Sequence, residues 1–421
     1  MKLINSNPYR IAGLLSNSNE REITKQKSKI SKFTSVGKEI KSEYDFTFLD
    51  TANRMPENVD KVFSAIEQSQ GKVNHSLFWF LKVNAFDETA LNHLIAGNNE
   101  KAEELWSKVT EDKEITSKNY SCFNNLGTLL LISNDKTKIK KGLKLKLKLI
   151  QSNQFENYVD SVSDKTYKID KKSQSETFIK ELYSDLKIKI SKAEIFKLFE
   201  GVEKNNYKII QNLVSEDSFI KIEESISLLK KEQKFKPSFL KSALKINFEI
   251  KNELEFLKII FNSNNILFQN ISNKYSDVIH QGIINVINFY NDNISEIKTD
   301  YNFNNTKKDI LKLLEISNHF STNEATKENI NETFDFVKDW SFSEDEFIVD
   351  FLFERIQKFN GKKISSGMKL LNDCIPKLKS LSKEHKHYLD LSSGLSNIIM
   401  KIVIKETNSV SNKLEKIFSN E

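Results

Sequence analysis

Along most of the chain, apolar residues recur every three to four positions, the spacing that gathers them on one face of an α-helix. In the C-terminal half, one such segment follows another: Glu176–Ile190, Lys192–Leu213, Ser218–Lys231, Pro237–Phe261, Ile266–Tyr290, Lys307–Phe320, Lys327–Val337, Ser343–Phe359, Ser365–Leu378 and Lys383–Lys405. Asn/Ser/Asp clusters such as Asn262–Asn265 separate them. Near the N-terminus, Pro8–Leu14 predicts a short helix closed by Gly13. Ser18 or Asn19 caps the next helix, which places Glu20 and Glu22 in its first turn and runs through Phe33. A polar connector, Gly37–Asp45, leads to Phe46, Phe48 and Leu49, and a third helix starts near Pro56 with Val59, Val62, Phe63 and Ile66 on its apolar face. Val73, Leu77 and Phe80 are helically spaced, with Phe78 and Trp79 widening the apolar surface. That stripe is either a protein-docking face or is buried against the helices that follow.

Phe86–Thr110 predicts a helical hairpin turning at Gly97, and a second begins at Phe123-Asn124-Asn125-Leu126-Gly127. Lys136–Lys148 holds seven lysines and no acid. Its leucines alternate with lysine as in a strand, yet Ile139, Leu143, Leu147 and Ile150 also make one helical face, and propensity favours helix. Residues 153–174 are polar and predict a linker.

The N-terminal order of short helix, Gly-Leu, capped basic helix, loop and apolar helix resembles the J-domain, the co-chaperone module of the DnaJ family. The match sits on Pro8-Tyr9, Ile11 and Gly13-Leu14, where the family has a tyrosine pair followed by Leu-Gly-Val. It continues at Glu22-Ile23 and at Val62-Phe63 with Ile66. J-domains carry His-Pro-Asp after the second helix, the tripeptide needed to stimulate the Hsp70 ATPase. Here Ser35-Val36-Gly37 stands in that place, so the resemblance implies a module that docks without that stimulation. The following segment resembles the tetratricopeptide repeat: Phe123, Leu126, Gly127 and Leu130 fit the opening of one unit, and Gly97, Ala102 and Trp106 the later part of the preceding one.

Composition narrows the fold. The chain has 11 glycines and 4 prolines, where average usage over this length gives about 29 and 21. All-β folds need those residues at every turn, and phosphate loops are built from glycine. The net charge of +6 is mild, and the excess of lysine over arginine argues against bidentate phosphate readout. Cys122 and Cys374 lie far apart, which excludes a disulfide framework and reads as two small buried hydrophobes. No apolar run suits a membrane helix and no signal peptide is visible, so a cytoplasmic location is expected.

Candidate chemistry is sparse. Nucleotide, nucleophile-elbow and zinc-protease motifs do not occur in the sequence. His385 and His387, two apart on a predicted helix, point to different faces, and Ser343 with Glu346 reads as a capping box. Together these observations predict an all-α chain: a J-like three-helix module over residues 1–82, tetratricopeptide-like hairpins over 83–152, and a helical bundle or irregular α-solenoid over 175–421. The expected function is a non-enzymatic protein-binding adaptor or co-chaperone-like scaffold without cofactor, metal or membrane contact. Its partner-facing residues are Tyr44, Phe46, Phe48, Trp79, Lys140, Lys144 and Lys148. The alternative is a nucleic-acid-associated helical protein using Lys136–Lys148, and a third reading is an enzyme whose site is assembled from scattered helices.

Overall fold

The computed structural model describes residues 1–38, 40–293 and 300–418; among these the regular structure is helical and no strand occurs. The chain forms two compact units, Met1–Asp217 and Ser218–Glu421. No described helix is long and apolar enough to cross a membrane.

Unit 1 opens with α1 (Lys2–Asn5), α2 (Pro8–Ala12), α3 (Glu20–Thr34), α4 (Pro56–Ala65) and α5 (Ser69–Ser76). Asn7 caps α2 by accepting from the Tyr9 N–H, Pro8 takes the first turn, and Gly13 ends the helix at φ 72°. Asn19 is the residue that caps α3, in a reciprocal box with Glu22. The α2 helix packs on α3, α4 and α5. Two antiparallel hairpins follow, α6 (Ala85–Ile95) with α7 (Asn99–Thr110) and α8 (Tyr120–Ile132) with α9 (Lys136–Gln151). The first turns at Gly97, φ 81°. Lys136–Lys148 is therefore helix, its buried face made by Ile139, Leu143, Leu147 and Ile150.

The α8 helix is the centre of unit 1, buried at every residue from Tyr120 to Leu131. The helices α10 (Phe155–Val162), α11 (Lys171–Leu186) and α12 (Lys192–Leu198) complete the unit. This corrects the linker expected over residues 153–174. Phe155, Tyr158, Val159 and Val162 of α10 are buried, and on α11 the Phe178 ring stacks on Phe78 at 5.1 Å. The α10 apolar face spans two turns between polar loops, so its signal is diluted in a longer window. The division of the chain falls instead within α13 (Lys204–Glu232).

Unit 2 holds α14 (Lys236–Phe261), α15 (Ile266–Asp292), α16 (Asp300–Phe320), α17 (Glu324–Asp339), α18 (Glu344–Gln357), α19 (Ile364–Ser380) and α20 (Tyr388–Phe418). Close approach of α14 and α15 depends on Gly282, where a Cβ would meet the Phe239 ring at 2.1 Å. Ser276 and Ser317 bind each other's carbonyls across α15 and α16 at 2.7 and 2.9 Å. A separate apolar cluster joins α18, α19 and α20 through Ile348, Leu352, Leu370, Cys374, Leu391 and Leu395. The Ser343–Glu346 capping box starts α18 as expected. His385 and His387 lie in the turn before α20 rather than on a helix, and the His385 Nδ1 accepts from the His387 N–H at 3.3 Å.

Candidate functional site

The expected docking aromatics come together, but in the interior. Phe46 is 2% exposed and Trp79 fully buried. Phe46 stacks on Phe48 at 5.5 Å, meets Phe80 edge-on at 5.4 Å and lies 5.9 Å from Trp79, while Phe80 stacks on Trp106 at 5.9 Å. Tyr44 and Phe48 sit half-buried at the margin. Burial follows from area: each large ring removed from water contributes about 2–3 kcal/mol. The Trp79 indole N–H donates to the Leu14 carbonyl at 2.8 Å, so its polar atom is also satisfied. Of the four aromatics, Phe46 and Trp79 are thus corrected from partner-facing to core, and they fasten the connector to the first hairpin.

Arg54 fixes the same connector. Its guanidinium holds the Asp45 carboxylate with two bonds at 2.6 and 2.8 Å and donates to the carbonyls of Ile11, Ile40 and Arg10. Burial pushes the Asp45 carboxyl up, but hydrogen bonds from Arg54 and the Ser42 N–H outweigh it and hold the group below the ordinary range.

The lysines of α9 are largely answered by carboxylates from neighbouring segments. Lys136 meets Glu194 at 2.5 Å, Lys138 meets Glu103 at 2.8 Å, and Lys140 and Lys141 meet Glu200 and Glu111 at 3.1 Å each. The Lys148 ammonium donates to the Lys113 carbonyl at 2.9 Å and lies over the Phe123 ring. Lys144 makes no ion pair among the described residues and lines an open cleft with Lys148, Gly201 and Glu203. The stretch that reads as an uncompensated basic patch is therefore a mixed-charge surface, and Lys140 in particular is a paired residue.

Lys146 departs from its neighbours. Its side chain is fully buried, and its amine donates to Asn124 Oδ1 and Thr128 Oγ1, both at 2.6 Å. Burial pushes its pKa well below that of an ordinary lysine, because a buried ammonium loses its water. The Asn124 amide also donates to the carbonyls of Trp79 at 2.8 Å and Ser76 at 3.3 Å, and the Tyr158 hydroxyl donates to Ser76 Oγ at 2.7 Å.

A second buried network centres on Asp87. One carboxylate oxygen accepts from the Asn125 amide at 2.9 Å and the Trp106 indole at 3.2 Å, and the other from the Val83 N–H at 3.0 Å. Cys122 lies 3.5 Å from it, and burial with the neighbouring carboxylate pushes that thiol up to about 12. Such a thiol is a poor nucleophile. Sequence reasoning missed both networks; the signal was the pair Asn124-Asn125 inside the most apolar helix of unit 1.

Two further surfaces carry groups with an open side. In unit 1, a cleft of about 520 Å³ is lined by Lys2, Pro8, His75, Lys180, Glu181 and Ile188. Burial pushes the Glu181 carboxyl up to about 7 and holds the His75 imidazole below its ordinary value. In unit 2, α19 and α20 form an apolar groove of about 460 Å³ lined by Leu371, Ile375, Leu378, Leu395, Ile399, Met400 and Val403. Among the described residues no group of three His, Cys, Asp or Glu side chains could hold a metal ion.

Compared with protein-family models, curated proteins and solved structures, the chain matches none. The J-domain and tetratricopeptide resemblances therefore rest on the quoted residues.

Proposed function

We propose that the protein is a non-enzymatic helical adaptor that holds other proteins, and that its ligand is an amphipathic helix seated on the α19–α20 face. The observation that carries this reading is the groove itself. Ile375, Met400 and Val403 stay exposed beside a polar margin of Ser392 and Ser396. A helix presenting apolar residues at i, i+3 or i+4 and i+7 is the ligand such a groove accepts. The ion pairs of α9 weigh against the nucleic-acid alternative, because phosphate binding needs cations free to replace counterions.

The test is a photo-crosslinking residue placed at Met400 in the full chain. Adducts on the apolar face of a helix are expected, and Ile375→Glu should abolish them. Adducts indifferent to Ile375→Glu would overturn the reading. In the same proposal the J-like module docks without driving Hsp70, since Ser35-Val36-Gly37 offers neither His nor Asp. Adding the protein should leave the Hsp70 ATPase rate unchanged, and clear stimulation counts against it.

A further inference from the structure

The groove continues along α20. Beyond Ile402, which turns inward at 6% exposure, the described side chains of the helix are almost all exposed. Polar residues cover most of that length, yet one line of it, with the exposed Ile404 beside it, is apolar at four of its five positions. Met400, Val403, Thr407, Val410 and Leu414 are spaced three and four apart in alternation, the seam of a heptad repeat. Met400, Val403, Val410 and Leu414 are 57%, 45%, 56% and 48% exposed. A seam of this kind is the half of a two-helix contact that lacks its other helix.

We infer that the missing helix is α20 of a second copy of this chain, running antiparallel about a two-fold axis between Asn408 and Ser409. The register follows from the seam. With that axis, Val403 faces Leu414 of the second copy, Thr407 faces Val410, and the symmetric layers repeat both contacts. The flanking charges select the same arrangement. Glu406 and Lys413 border the seam on one side, and neither has an ion-pair partner among the described residues. In the antiparallel register Glu406 of each copy lies beside Lys413 of the other, giving two opposite-charge pairs. In a parallel, in-register pair Glu406 would instead meet the uncharged Ser411. The seam also runs into the groove, because Met400 and Val403 belong to both. Leu414 of each partner helix therefore lies against Val403, a residue of the other copy's groove.

This inference rests on the reading of the α19–α20 face as a docking surface and names its occupant. The paired length from Val403 to Leu414 is about 17 Å, short of a standard interface, so association in the micromolar range or weaker is expected. The closed two-fold contact limits it to dimers.

The test is sedimentation of the full chain over a concentration series. A monomer–dimer equilibrium is expected, weakened about tenfold or more by Glu406→Lys or by Lys413→Glu, each of which turns both cross-pairs repulsive. Mixing the two single variants should restore association, since every cross-pair is then opposite in charge. Both sites are on the surface of the helix, so folding is not at stake; Val410→Asp provides a second, stronger break. A monomer up to about 200 µM, or charge variants that associate like the parent, overturns the inference. A monomeric chain that still crosslinks at Met400 to another protein removes the self-pairing and leaves the adaptor reading. A dimer with no other adduct does the reverse.

Discussion

Lys146 lies across Gly127: a Cβ on that glycine would stand 2.8 Å from the Lys146 Cε and 3.0 Å from its Cδ. The lysine stem thus occupies the space the missing side chain leaves, and its amine reaches Asn124 and Thr128 on the same face of α8. On α9 the approach is closed from the other side by Gly142, whose Cβ would come within 2.9 Å of the Gly127 carbonyl oxygen. Gly127→Ala should displace the lysine and break its two hydrogen bonds, destabilising unit 1 by about 2–4 kcal/mol. Urea unfolding followed through the buried Trp79 and Trp106 fluorescence measures it.

The same lysine sets a pH dependence. Its folded-state pKa is lowered by burial, so between that value and the ordinary lysine pKa the unfolded chain binds more protons than the folded one. Stability from this group therefore rises with pH through that window and is lowest below the folded-state value, where both states carry the proton. Lys146→Met keeps the stem and removes the titration. The variant should be as stable as the parent or more so near neutral pH, and the difference should shrink as pH climbs toward 10. A variant strongly destabilised at pH 7 would show that the amine's hydrogen bonds outweigh its desolvation.

Glu181 titrates in the opposite sense to a salt-bridged carboxylate. Burial raises its folded-state value to about 7, so the folded chain binds the extra proton. Its contribution is favourable below the unfolded carboxyl pKa and is lost as pH rises to about 7. Glu181→Gln should leave stability unchanged at pH 4. At pH 8 it should raise stability by up to about 3 kcal/mol. Parallel thermal melts of parent and variant at the two pH values check the sign.

Local signals were legible where a helix announces its own ends. The cap at Ser18 or Asn19, which falls on Asn19, the Ser343–Glu346 box and the positive-φ turns at Gly13 and Gly97 depend on residues a few positions apart. What was not legible depends on packing between distant segments. Lys138 and Lys140 look free until Glu103 and Glu200, from other segments, come within 2.8 and 3.1 Å. Phe46 and Trp79 have the composition of an exposed anchor, and only the meeting of the connector with the first hairpin turns them inward. Asp87 is similar: a helix-start acid in sequence, it is fully buried and bound by Asn125 and Trp106 because α8 passes beside it.

Asp87→Ala removes one acceptor group from several donors at once. The Asn125 amide, the Trp106 indole and the Val83 N–H would be left buried without it. Each unpaired donor costs about 1–3 kcal/mol. With three donors affected, the variant should therefore lose roughly 3 kcal/mol or more. Asp87→Asn keeps one carbonyl acceptor and should lose less. A lower urea midpoint for both, ordered Ala below Asn, is the expected result; equal midpoints for Ala and parent would remove Asp87 from its structural role.

Arg54→Met tests whether the aromatic connector is held by charge as well as by packing. The substitution keeps much of the apolar stem but frees the Asp45 carboxylate and withdraws donors from the carbonyls of Ile11, Ile40 and Arg10. Asp45 also loses the Arg54 hydrogen bonds that help hold its pKa down, while the bond from the Ser42 N–H remains. Phe46 remains apolar and still gains from burial against Trp79 and Phe80, so unit 1 should stay folded while the connector loosens at its polar end. Limited proteolysis should then cut around Tyr44, a half-buried residue in the parent, before any cut appears in α8. Arg54→Lys should be cut at an intermediate rate, because a point charge replaces the two-bond fork but cannot reach all three carbonyls. If the connector resists cleavage in both variants as it does in the parent, the aromatic stack alone holds it.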